Sequence, residues 1–301
     1  MMKNGNSLSA RRLAVFKCFW VGIVVTFLMP AGWAVDKVIY GEDNRVDVYA
    51  STNTMFMELS RSTAAQIPYT NITYLRQDSK AEIKAENLGD LGMCPEERFA
   101  GQVTAARCSG FLVGPDLLVT AGHCARTASD CSANAWVFDY KVDPNHPQVN
   151  KVPIDSVYGC KEILSQTMDP DTMDDYALIR LNRRATNRPP LQYRREGKIE
   201  EGTPLVVIGH PSGLPTKIAD GASVRSSEEN AYFVANLDTY GGNSGSAVFD
   251  AETGIVEGIL VRGDTDYEYA PGRNCRISKV CPKDGCRGED VTRITNIKKL
   301  P

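Results

Sequence analysis

From about Cys94 onward, short apolar runs recur along the chain, each bounded by Gly, Pro, Asn or Asp. They read CSGFLV, DLLVTA, AWVFDY, YALIRL, PLVVIG, AYFVANL, SAVFD and GIVEGILV. These runs are rich in Val, Ile, Leu and aromatic residues and too short for ordinary helices. The pattern predicts the strands of an all-β sandwich or barrel. Long helical periodicity is absent. Two stretches suit a short helix: SKAEIKAENLGD at 79–90 and the closing EDVTRITNIKKL at 289–300. Between 35 and 93 the chain is polar and weakly patterned. That segment reads as a removable propeptide or as a strap on a domain spanning 94–301.

The first 34 residues carry a different pattern. Lys3, Arg11 and Arg12 give a basic start, CFWVGIVVTFLMP follows as a short apolar run, and AGWA closes it with small residues. This is the layout of a secretory signal peptide over 1–34, and the apolar run is short for a membrane span. The expected location is therefore secreted or periplasmic, with no stable membrane insertion after cleavage. Losing Lys3, Arg11, Arg12 and Lys17 removes four cations and takes the net charge from −3 to −7. Such an acidic balance gives no reason to expect nucleic-acid binding. Eight cysteines remain after Cys18, an even number that in an exported chain implies disulfides. CRISKVCPKDGC invites a metal reading, but no histidine lies after His210 to complete a common zinc set. No metal and no cofactor is expected.

The candidate chemistry centres on TYGGNSGSAV, residues 239–248. A serine between glycines is a nucleophile only with a base in reach, and the base needs an orienting partner. Three histidines are available. His146 sits in a Pro-flanked turn and His210 at a strand end, both ordinary structural settings. His123 follows two strands joined by a Gly-Pro-Asp turn, in CSGFLVGPDLLVTAGHC, with Cys108 and Cys124 flanking the hairpin. A Cys108–Cys124 bridge would constrain the unfolded chain by about 3 kcal/mol and fix the backbone beside the base. Asp175 opens the apolar strand DYALIRL; the adjacent Asp174 is the competing carboxylate.

These motifs resemble those of the chymotrypsin-like, or trypsin-like, serine peptidases, in a bacterial form similar to the glutamyl endopeptidases. Their order, His123, Asp175, Ser244, differs from that of subtilisin-like enzymes and α/β-hydrolases. The resemblance covers roughly residues 94–265. It implies two antiparallel six-stranded β-barrels with the active site between them, a catalytic triad of His123, Asp175 and Ser244, and an oxyanion hole from the N–H groups of Gly242 and Ser244. The implied activity is a serine endopeptidase acting on proteins or peptides as a monomer. A non-catalytic binding protein on the same scaffold is the rival reading, and no triad residue is lost to favour it.

Departures from the vertebrate pattern also matter. Asn243 stands where digestive enzymes have the Asp that pairs with a new N-terminal amine. Arg262 replaces the usual cleft aromatic, and Val261 stands near the pocket histidine of glutamyl endopeptidases. Asp238, six before Ser244, corresponds to the base of the primary pocket. With Thr239, Arg262 and Gly263 it makes up the expected substrate-binding set. A free carboxylate there favours Arg or Lys before the scissile bond. Three alternatives stay open: Arg262 turns in and neutralises it, Arg262 itself attracts an acidic substrate residue, or Asp238 faces away and caps backbone N–H groups.

Overall fold

The computed structural model describes residues 1–2, 38–147 and 150–301. The signal-peptide reading and Cys18 fall, apart from Met1 and Met2, outside the described residues. Ala34–Pro301 forms one compact unit.

Twelve strands build two barrels. The first contains β1 (Thr63–Pro68), β2 (Cys108–Gly114), β3 (Leu117–Thr120), β4 (Asn134–Phe138), β5 (Val157–Met168) and β6 (Asp175–Leu181). They close in the order β5-β6-β3-β2-β1-β4. The second contains β7 (Pro204–Gly209), β8 (Lys217–Ser226), β9 (Tyr232–Ala235), β10 (Ala247–Asp250), β11 (Val256–Arg262) and β12 (Glu289–Arg293). Their order is β7-β10-β11-β12-β9-β8, closed by β7–β8 pairing. All neighbouring pairs are antiparallel, and Arg45–Asp47 adds an edge strand to β8.

The strand period of two decides where each apolar residue goes. Leu112, Leu118, Trp136, Tyr158 and Ile179 fill the first barrel, while Leu205, Val207, Phe233, Leu260 and Val291 fill the second. The alternate residues, Phe111, Val113, Val119 and Leu178 from one barrel and Val206, Ile208, Phe249 and Ile259 from the other, share one layer between them. That shared apolar layer sets the two barrels face to face.

Three expectations are corrected here. The expected helix at 79–90 is instead a short strand, Lys80–Ile83, and a 3₁₀ turn, Gly89–Leu91. The expected closing helix is β12 followed by a 3₁₀ turn. Its β-branched Val291 and Thr292 suit a strand, and every residue of β12 is buried. The expected domain start at Cys94 is too late, because β1 hydrogen-bonds to both β2 and β4 and the first barrel is open without it. Within the segment 35–93, residues 63–68 are thus a strand of the first barrel. Four disulfides are present: Cys94–Cys275, Cys108–Cys124, Cys131–Cys160 and Cys281–Cys286. The expected Cys108–Cys124 bridge is among them.

Candidate active site

The β3–β6 ladder brings histidine and carboxylate together. Thr120, the last residue of β3, stands opposite Ala177, so Asp175 at the start of β6 lies beside the turn that carries His123. Asp175 is fully buried. Its Oδ1 accepts the His123 backbone N–H at 3.0 Å, and its Oδ2 lies 2.7 Å from His123 Nδ1. One carboxylate thus holds both the backbone and the ring of His123, and the ring cannot rotate without breaking a buried hydrogen bond. Nε2 has no hydrogen-bond partner among the described residues. On the far side of the turn, the Cys108–Cys124 bridge fixes His123 to the start of β2.

The loop that carries Ser244 is tied to both barrels. Ser244 O accepts the Ser109 N–H of β2 at 2.8 Å and lies 3.6 Å from Cys124 Sγ; Gly245 N–H donates to Leu260 O of β11 at 2.7 Å. Ser244 is therefore held beside Cys124, one half of the bridge next to His123, and beside Ser109, the residue after the other half. Just before it, Asn243 N–H donates to Tyr240 O at 2.9 Å, and Gly242 has φ +91°. A positive φ at the third residue is the mark of a type II turn. A type I turn would rotate the Gly241–Gly242 peptide and turn its N–H about. Any Cβ at Gly242 would also stand 2.5 Å from His210 O. Asn243 is engaged internally: its Oδ1 accepts the Ser246 hydroxyl at 3.1 Å.

His210 supports this loop. It is fully buried between Ser109 Oγ and Thr216 Oγ1, each 3.1 Å from a ring nitrogen, and burial pulls its pKa down to about 3. Ser109 Oγ in turn donates to Gly242 O at 2.8 Å. His146 is exposed and pairs locally with Asp143.

The expected substrate-binding set does not come together as the sequence suggested. Asp238 is buried, and both its oxygens are taken: Oδ1 accepts the Tyr40 N–H at 2.7 Å and Oδ2 the Asn44 N–H at 2.9 Å. Segment 38–44 runs in beside the nucleophile loop, and its amides need acceptors. Asp238 supplies them as a cap, not as a pocket charge. Arg262 turns neither toward Asp238 nor outward; its Nε donates to Asp290 Oδ2 at 3.1 Å.

Thr239 and Gly263 do meet, around a residue the sequence reading missed. Glu289 is fully buried, its Oε2 accepts the Thr239 hydroxyl at 2.7 Å, and its carboxylate lies where a Cβ on Gly263 would stand. The available signal was the acidic pair Glu289–Asp290 opening a β-branched run, which reads as polar surface until β12 is seen to pair with β11. Beside Gly241 and Gly242 lies a cavity of about 260 Å³, lined on its apolar side by Leu88, Leu91, Met93, Ala106 and Tyr267.

Asp238 gives a stability test. Burial pushes its pKa up to about 6, against the pull of the two N–H donors. A group raised in the folded state contributes stability below its unfolded pKa and loses it as pH rises through the folded value. Asp238→Ala should lower unfolding free energy by about 1–3 kcal/mol, because two buried amides lose their acceptor. The gap should be wider at pH 4 than at pH 7 in denaturant titrations. An equal or wider gap at pH 7 would contradict the assignment.

Residues 108–259 match the family described as trypsin-like peptidase domain. A probable serine protease of Lysobacter enzymogenes is 26% identical over 208 residues, 60% of this chain; the chain spans about a third (32%) of that relative's length. Among solved structures, a Glu endopeptidase is similar at 15% identity and TM-score 0.48, covering 86% of this chain and 94% of its own. The VesB protease of Vibrio cholerae is similar at 13% identity and TM-score 0.48, covering 86% of this chain and 65% of its own.

Proposed function

This chain belongs to the trypsin-like peptidase family, and from that premise we propose that it is an exported serine endopeptidase with Ser244 as nucleophile. The observation that carries the reading is the two-point grip of Asp175 on His123, with the Ser244 loop anchored to the same cysteine bridge. In this reading Ser244 Oγ attacks the scissile carbonyl carbon while His123 Nε2 takes its proton. Collapse of the tetrahedral intermediate returns that proton to the leaving amine and gives an acyl-enzyme. Water then repeats the sequence and frees the acid. Asp175 keeps the Nδ1 proton in place and stabilises the imidazolium. The N–H groups of Gly242 and Ser244 receive the oxyanion, each donor of this type being worth about 3–4 kcal/mol of barrier.

Export is supported by the 1–34 pattern and the four disulfides; among the described residues no helix is long and apolar enough to cross a membrane. The substrates are proteins or peptides, and the chemistry proposed uses no cofactor.

A preference for Arg or Lys before the scissile bond is supported by Glu289 rather than by Asp238. Glu289 is the carboxylate that touches two residues of the expected substrate-binding set, Thr239 and Gly263, and its negative charge favours a cationic side chain docking against them. The test combines labelling and digestion. A fluorophosphonate should label Ser244 in the folded protein alone, and matched peptides should be cut faster with Arg than with Ala before the bond. Glu289→Gln should lower that ratio at least about tenfold, and Asp238→Asn should leave it. An unlabelled Ser244 in folded protein would overturn the peptidase reading; a ratio indifferent to Glu289 would overturn only the preference.

A further inference from the structure

Arg262 is the least expected residue near the dyad. Its side chain is buried, and its three nitrogens reach three different groups. Nη1 stands 3.8 Å from Asp175 Oδ2, the oxygen that also meets His123 Nδ1. Nε donates to Asp290 Oδ2 at 3.1 Å, the residue directly opposite across the β11–β12 ladder. Nη2 donates to Met173 O at 2.8 Å. Met173 has φ +66°, a left-handed conformation costly for a residue with a side chain, and lies two residues before Asp175.

We propose that Arg262 is a positioning residue that holds Asp175 in place and aimed at His123. This rests on the serine-peptidase reading above. Asp175 and Asp290 are both buried, and the same guanidinium reaches each. Two carboxylates in a low-dielectric site repel, and without the shared cation that repulsion pushes their side chains apart. A displaced Asp175 loses the 2.7 Å contact with His123 Nδ1 that the triad needs. Other charges nearby do not replace Arg262. Arg287 donates to Asp290 Oδ2 at 2.8 Å, but its side chain is about half exposed (47%) and it serves the outer carboxylate. Asp174 adds a further negative group beside Asp175, and Asn296 Nδ2 donates to it at 2.5 Å. The bond to the Met173 carbonyl supplies the aim: it clamps the left-handed turn from which β6 and its first residue emerge.

The test is a pair of variants in the full chain. Arg262→Met should lower kcat about a hundredfold, as loss of alignment does, with KM and the preference before the scissile bond unchanged within about twofold. Arg262→Met with Asp290→Asn should recover at least about tenfold of that loss, because the competing charge is gone. A packing role alone is not rescued by the second substitution, and a substrate-reading role appears in KM and preference. A double variant no better than the single one, or a loss confined to KM, would overturn the proposal. If Arg262→Met does not fold, Arg262→Lys serves: it keeps the cation but reaches fewer of the three partners, so it should lower kcat with KM unchanged, and a loss confined to KM would overturn the proposal. Fluorophosphonate labelling of wild-type Ser244 separates the two readings. Without it the serine-peptidase assignment fails; with it, only Arg262 is in question.

Discussion

On the proposed reading, Ser244→Ala should lower kcat/KM roughly a million-fold, the loss expected when the nucleophile of a triad is removed and only the oxyanion donors and binding remain. The substitution is a clean probe at this position. Ser244 is held through its backbone, with its carbonyl on Ser109 N and the next amide on Leu260 O. Gly242 and Gly245, whose positive φ values shape the loop, are untouched. The loss of one hydroxyl should therefore leave the melting temperature near that of the wild type. The measurement is steady-state hydrolysis of a matched peptide, with thermal unfolding recorded on the same preparations. A folded Ser244→Ala protein retaining a tenth of wild-type turnover would sink the catalytic assignment. The non-catalytic rival would then regain its standing.

The strands and the candidate triad were legible for the same reason: their signals are local. CSGFLV, YALIRL and GIVEGILV declare strands because neighbouring residues bury alternate faces. The TAGHC and GGNSGS segments declare chemistry because a few adjacent residues fix a turn. What escaped depends on partners far along the chain. β8 opens on Lys217, whose ammonium is buried against Asp47 and Gln102, and β12 opens on Glu289 and Asp290. Hydropathy counts such residues as surface, whereas their burial rests on pairing with residues far away in the sequence. Asp238 stayed open between pocket base and cap for the same cause, since nothing near it announces that Tyr40 and Asn44 will claim both its oxygens. Arg262 likewise acquires its meaning only when β12 brings Asp290 opposite it. The boundary at Cys94 fell too late because β1, TAAQIP, is strand-like only in the company of β2 and β4.

Asp175→Asn should lower kcat/KM about ten-thousand-fold while leaving the fold intact. The carboxylate has two oxygens, and both accept: one from the His123 backbone N–H, the other from Nδ1–H. An amide offers one acceptor and one donor in the same shape. With its oxygen toward Nδ1, its NH₂ confronts the backbone N–H, donor against donor, in a site without exposure. With its NH₂ toward Nδ1, the imidazole must accept there, and its proton moves to Nε2. That nitrogen then has no lone pair with which to take the proton of Ser244. Either arrangement defeats the base, and the second, free of a clash, should prevail. Arg262 would meanwhile face a neutral amide on one side and Asp290 on the other, so the guanidinium should swing toward Asp290. The loss should fall on kcat, with KM within a few-fold, and labelling of Ser244 should slow in proportion. Asp174→Asn is the matched control. Asp174 lies one residue away, but it binds Asn296 rather than His123, and its replacement should keep turnover within about threefold of wild type. A folded Asp175→Asn protein that loses less than tenfold, or an Asp174→Asn protein that loses as much, would show that the wrong carboxylate had been assigned to His123.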